Sequence, residues 1–275
     1  MKIYHVLSLI NLMQCEAGLR VLGGRDALKD EFPYAVRLEY EHARQINETV
    51  LQLTHERFCT GSAIRPTWIL TAAHCIEPGD FLPSRKLKIV ARYNSNFPTE
   101  LGQVTRIIGF YIHPAFTNDI NNMKDDVGLY RCKNITISMY GKISAVHIRT
   151  FVGHEALLLG FGQTNASSIA KPLQVLKVMV NKCIPGDEEG EMMFCLVPPC
   201  HLIATSCGGD SGGPIVHPSG IIGVVSMSID DCYENMKPTL RQTNSPRSSR
   251  TRSTPGIEAI THCFSNNLFS TDEHL

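Results

Sequence analysis

Three short segments carry residue types that together can break an acyl bond. Gly209-Asp210-Ser211-Gly212-Gly213-Pro214 sets a serine among glycines. A serine hydroxyl is a weak nucleophile and needs a neighbouring base. Flanking glycines let the backbone turn tightly and let a substrate come close. Turned that way, the amides of Gly209 and Ser211 can point at a developing oxyanion. The bland alternative is a glycine-rich turn with a solvated serine; so long and specific a stretch weighs against it.

The base is expected in Thr71-Ala72-Ala73-His74-Cys75, directly after the apolar Trp68-Ile69-Leu70, which puts His74 at a strand's end. The bland alternative is that His74 is one of eleven histidines that happens to sit near a cysteine. Asp126-Val127-Gly128-Leu129 is the third segment. A carboxylate entering a buried strand costs free energy unless it is paired. Orienting a histidine and stabilising its imidazolium is one such pairing. Asp125 competes for that role, and the following Val127-Gly128-Leu129 favours Asp126.

The elements that must position these residues read as strands. Apolar or alternating runs occur at Ala35–Glu39, Trp68–Ala72, Leu87–Tyr93, Val104–Ile112, Ala156–Gly160, Leu173–Val180, Met192–Cys195, Ile215–His217 and Ile221–Ser226. Gly, Pro, Asn and Asp separate them, and their lengths suit strands better than helices. The expected class is all-β, as a sandwich or barrel. Ser138 to Gly153 is a plausible crossing between two halves. Residues 234–254 are basic and Ser/Thr-rich with almost nothing to bury, and read as a disordered insertion on the surface.

With 275 residues, the chain can build one large or two small domains. Its 43% apolar content and zero formal net charge fit a globular protein and offer no footprint for nucleic acid. Residues 1–17 have a positive start, the apolar run Val6–Met13, and small residues at Cys15 and Ala17. That is the pattern of a secretory signal cut after Ala17. The run is too short to span a bilayer. Ten cysteines and the sequons at Asn47, Asn134 and Asn165 agree with an oxidising, extracellular destination. The histidines lack metal-ligand spacing, so neither a metal nor a cofactor is expected.

The order His74, Asp126, Ser211 and the three motifs resemble the chymotrypsin/trypsin-type serine proteases. The resemblance runs from Arg20 to about Cys232 and implies two six-stranded antiparallel β-barrels, 21–137 and 138–275, with the site in the cleft between them. It implies a serine endopeptidase whose catalytic residues are Ser211, His74 and Asp126, with Gly209 and Ser211 as the oxyanion hole. Arg20-Val21-Leu22-Gly23-Gly24 resembles the family's activation site. Residues 18–20 would then be a short propeptide, and the freed Val21 amine would pair with Asp210. Disulfides Cys59–Cys75, Cys183–Cys195 and Cys207–Cys232 are implied. One further family bridge is lost at both of its positions, Ala156 and His217. Cys132, Cys200 and Cys263 stay unassigned.

The same resemblance places Thr205 at the floor of the primary pocket and Ser226-Met227-Ser228 along its wall. Thr205 carries no charge, so a buried Lys or Arg side chain would be unpaired there. Ser226 would offer backbone bonds to substrate, and Ser228 would narrow the pocket. Small or medium apolar residues are the expected preference. The expected partners are protein or peptide substrates, an activating trypsin-like protease and protein inhibitors. A reading from another class is a non-catalytic homologue that binds or regulates partners through this fold, because its C-terminal segment departs from the family pattern. The complete set His74, Asp126, Ser211 and Gly209 favours the enzyme.

Overall fold

A computed structural model of the chain describes residues 24–45, 51–81, 88–96, 101–118, 123–162, 172–183, 193–198 and 206–227. The presumed signal, Arg20, Val21, Thr205, Ser228, Asn47, Asn165, Cys200, Cys232, Cys263 and the 234–254 insertion lie outside them. The described residues form an all-β molecule of twelve strands and three short 3-10 turns.

Six strands close into an antiparallel barrel. They are β2 (Ala35–Gln45), β3 (Leu51–Arg65), β4 (Trp68–Thr71), β5 (Lys88–Tyr93), β6 (Gln103–Ile112) and β7 (Gly128–Cys132), in the order β2-β3-β4-β7-β6-β5. The other six form a second antiparallel sheet: β1 (Arg25–Asp26), β8 (Glu155–Gly160), β9 (Gln174–Asn181), β10 (Cys195–Val197), β11 (Pro214–His217) and β12 (Gly220–Val224). Its order is β1-β9-β8-β11-β12, with β10 also on β9. Between Cys132 and Glu155 the chain passes from barrel to sheet, crossing the stretch that the sequence marks as a link.

Alternation explains the strands. In β7, Gly128, Tyr130 and Cys132 face inward while Arg131 faces solvent. In β9, Val178 and Val180 face in, and Lys177 and Asn181 face out. The barrel is filled by Val36, Leu38, Ile69, Ile89, Ile107 and Tyr130. Leu158, Leu176, Val178, Leu196, Ile215 and Ile222 fill the second core. A third cluster, with Tyr34, Leu70 and Val127 from one side and Leu159, Val175 and Val224 from the other, seals the seam between the two.

Several expected strands shift in the structure. β3 carries no strand expectation because its outer part, Gln52–Glu56, is solvent-exposed and paired with the end of β2 as a two-stranded ribbon. A ribbon wet on both faces has no apolar alternation to read. The strand expected to end at Cys195 begins there instead. β12 stops at Val224, and Ser226 turns away toward Asp126. Cys59–Cys75 and Cys183–Cys195 are bridged. Cys132 is a buried free thiol that burial pushes up to about 11. The β8–β11 register pairs Leu157 with Val216, the neighbours of Ala156 and His217, where the resemblance implies a lost bridge. There the His217 ring packs on Phe151, 4.9 Å between centroids. Among the described residues no helix is long and apolar enough to cross a membrane.

Tyr130 couples the barrel core to the segment that carries His74: its buried hydroxyl donates to the Cys75 carbonyl at 2.7 Å. Tyr130→Phe leaves that carbonyl unpaired in the core and is expected to cost about 1–3 kcal/mol. Urea unfolding checks this: the midpoint should fall with an unchanged m-value, whereas an unchanged midpoint would contradict the coupling.

Candidate active site

β4 delivers His74. After Thr71 the chain passes through buried Ala72 into a 3-10 turn, Ala73–Cys75. Cys75 N–H donates to Ala72 O at 3.2 Å and Ile76 N–H to Ala73 O at 2.9 Å. The Cys59–Cys75 disulfide and the Tyr130 hydroxyl hold the far side of the turn. Gly128 faces it from β7, and a Cβ there would press on Ile76 Cδ1 and on the Ala73 backbone. The glycine in Asp126-Val127-Gly128-Leu129 is therefore a close-approach residue. It lets the Asp126 strand reach the His74 turn.

Asp126 is fully buried and accepts three hydrogen bonds. Oδ1 takes the His74 backbone N–H at 2.8 Å. Oδ2 lies 2.7 Å from His74 Nδ1 and takes the Ser226 hydroxyl at 2.5 Å. Burial alone would raise the Asp126 pKa, but the hydrogen bond and charge of His74 and the bonds from Ser226 and the His74 amide outweigh it, so the carboxyl sits below its usual range. A carboxylate acceptor at Nδ1 assigns the ring proton to that nitrogen and leaves Nε2 as the basic atom. The ring is 23% exposed, enough to meet a substrate. Asp125 adopts a positive φ of 51°. Its backbone carbonyl takes the Val127 N–H at 2.7 Å.

The Ser211 loop is pinned to β3 and to the chain leaving β12. Thr60 N–H donates to Ser211 O at 2.8 Å, and Gly212 N–H to Val225 O at 2.7 Å. Gly212 has φ +77°, and a Cβ there would overlap Thr71 Oγ1 and the Thr60 carbonyl. Glycine at this position thus lets the Ser211 loop rest on the strand that leads to His74. Among the described residues the Ser211 hydroxyl makes no hydrogen bond to His74. Such contacts commonly tighten only once substrate is bound.

Asp210 is the second fully buried carboxylate. Its oxygens accept the Gly162 N–H at 2.7 Å and the Cys207 N–H at 2.8 Å. Side chains at Gly160 or Gly162 would overlap the carboxyl, so Gly160-Phe161-Gly162 forms its cradle. Burial pushes its pKa up to about 6, with the two amides and the Arg57 charge opposing in part. Cys59, His74 and Cys75 cluster within 4.8 Å, but both sulfurs are spent in the disulfide, so the group has no thiolate to offer a metal.

Sequence reasoning placed Ser226 by its backbone and missed its hydroxyl, which reaches Asp126 from the end of β12. It also passed over Thr60, Tyr130 and the cradle glycines. The Gly-Phe-Gly spacing was the one signal that could have marked the cradle.

An antiparallel barrel and a second antiparallel sheet thus carry a buried Asp–His pair and a glycine-bracketed serine. A family model described as Trypsin matches residues 21–245, and the chain belongs to that family. It is 28% identical over 252 residues to granzyme M of Rattus norvegicus, covering 86% of this chain and 90% of that one. It is 27% identical over 229 residues to trypsin alpha of Drosophila erecta, covering 78% and 80%. A CLIP domain-containing serine protease B4 of Anopheles gambiae is 27% identical over 246 residues, covering 78% of this chain and 64% of that protein.

The two buried carboxylates respond to pH in opposite ways. Asp126, held below its usual value, stabilises the fold at neutral pH and loses that contribution as pH falls through its lowered value. Asp210, raised from 3.8 to about 6, contributes below pH 3.8 and loses that contribution as pH rises through about 6. In the uncut chain, Asp210→Asn should therefore gain melting temperature relative to wild type on going from pH 4 to pH 7.5. A variant-minus-wild-type difference that does not change with pH would contradict this.

Proposed function

We propose that the chain is a secreted serine endopeptidase, made as an inactive precursor. The observation that carries this reading is the Asp126–His74 pair, which leaves Nε2 as the basic atom, together with a Ser211 loop whose Gly212 lies against Thr71 of the strand that leads to His74. Ser211 Oγ attacks the scissile carbonyl while His74 Nε2 takes its proton. The tetrahedral oxyanion is met by the amides of Gly209 and Ser211. His74 returns the proton to the leaving amine, an acyl-enzyme forms on Ser211, and water releases it by the reverse sequence. Asp126 holds the ring orientation and stabilises the imidazolium.

Activation follows from Asp210. Residues 1–17 are removed as the signal, and 18–20 are a propeptide cut after Arg20. The new Val21 ammonium then turns inward to Asp210. The reading is supported by the Asp210 environment: a buried carboxylate held by two amides, with its pKa raised, gains most from an incoming cation. Cleavage specificity is read from the sequence: the resemblance assigns uncharged Thr205 to the pocket floor and Ser228 to its wall, with Ser226 as a backbone contact. The substrates are proteins cut after small or medium apolar residues. Such a pocket does not cut after Arg20, so a separate trypsin-like protease is the activator. The two halves are 21–137, which holds the barrel and lends Arg25–Asp26 to the second sheet, and 138–275, with 234–254 as an insertion. A Cys207–Cys232 bridge closes the nucleophile loop.

A fluorophosphonate probe tests this reading. The uncut protein should label weakly. Trypsin cleavage that exposes Val21 should produce strong labelling, abolished by Ser211→Ala and by His74→Ala. A peptide library should then show apolar residues at the cleaved position. Equal labelling of cut and uncut protein, or a dominant Lys or Arg, would contradict it.

A further inference from the structure

Thr60 stands on β3 at the point where the barrel meets the second sheet, and it is fully buried. A hydroxyl in such a place is costly unless its donor and acceptor capacities are both used. Here both are. Thr60 Oγ1 donates to the Gly209 carbonyl at 2.7 Å and accepts the Phe161 N–H at 3.0 Å. Its backbone is equally committed: the N–H goes to Ser211 O at 2.8 Å, and the carbonyl takes the Thr71 hydroxyl at 2.9 Å.

One residue therefore grips both Gly209 and Ser211, the pair that carries the oxyanion donors in the reading above. The Ser211 grip is made by the main chain and survives any substitution that keeps the strand. The Gly209 grip is made by the side chain and does not. Gly209 has φ +97°, a conformation in which its flanking peptides have other orientations open to them. The Gly209–Asp210 peptide is fixed at one end by Asp210 N–H on Cys207 O at 3.0 Å and at the other by Thr60 Oγ1. The same hydroxyl also holds Phe161 N–H, next to the Gly162 N–H that binds Asp210.

We propose that Thr60 is a positioning residue whose side chain clamps the oxyanion loop in its working geometry by tying Gly209 to the Asp210 cradle. It touches neither substrate nor reacting atoms. This rests on the endopeptidase reading. Losing a direct oxyanion donor costs 10²–10³ in kcat, and loosening the frame behind one should cost about tenfold.

The test compares Thr60→Val and Thr60→Ser with wild type after trypsin cleavage, with turnover expressed per fluorophosphonate-titrated site. Valine has nearly the same shape but neither donor nor acceptor; serine keeps both. Thr60→Val should lower kcat about tenfold with KM within about twofold, and Thr60→Ser should return kcat to within about threefold. Amide exchange of the 207–213 segment should quicken in Thr60→Val and stay slow in Thr60→Ser. A wild-type kcat per titrated site in Thr60→Val, or no rescue by serine, overturns the clamp. If wild type itself neither labels nor turns over, the endopeptidase reading fails instead. The exchange data then judge the clamp alone, and unchanged exchange in Thr60→Val overturns it.

Discussion

The arrangement depends on one buried charge. The Asp126 carboxylate is removed from water at the seam between barrel and second sheet. Such burial costs several kcal/mol unless it is answered by good hydrogen bonds. It is answered from both sides: the barrel supplies the His74 amide and ring, and the chain leaving β12 supplies the Ser226 hydroxyl. The orientation of His74 is thus not a property of the His74 turn alone. It requires the two halves to be docked, and the docking in turn satisfies a charge that neither half satisfies by itself.

The second buried carboxylate behaves differently. Asp210 is cradled by backbone alone, by Gly162 N–H and Cys207 N–H, and its environment favours the proton over the charge. The two aspartates thus divide the work by environment. Asp126 is held as a stable anion that fixes a base, while Asp210 is an anion short of compensation, suited to receive a cation. Both lie next to a residue of the proposed chemistry, so a change in either is transmitted through only one or two hydrogen bonds. Thr60 links these two centres through Thr71 on one side and the Gly209 and Phe161 backbone on the other.

Legibility in the sequence followed exposure and locality. β5, β8 and β9 could be read because each puts a run of apolar side chains into a core. β3 could not, because much of it is a ribbon wet on both faces. The choice of Asp126 over Asp125 rested on the residues after it, and Gly128 explains why: only glycine permits the approach to Ala73 and Ile76. The Ser226 and Thr60 hydroxyls were opaque for the opposite reason. Their partners lie 100 and 149 residues away, and no local pattern encodes such a meeting. The pairing of Cys132 was open in the sequence, and the residue is a free thiol buried within the barrel core, where it acts as a small apolar residue.

The central claim is that the buried Asp126 makes His74 a competent base for Ser211. Peptide turnover by the cleaved Asp126→Asn protein tests it most directly, because asparagine keeps the shape of the site while removing the charge that sets the imidazole tautomer. The account predicts a fall in kcat of roughly 10⁴-fold at neutral pH with the fold retained by circular dichroism. A folded Asp126→Asn protein that turns over within about tenfold of wild type would contradict it.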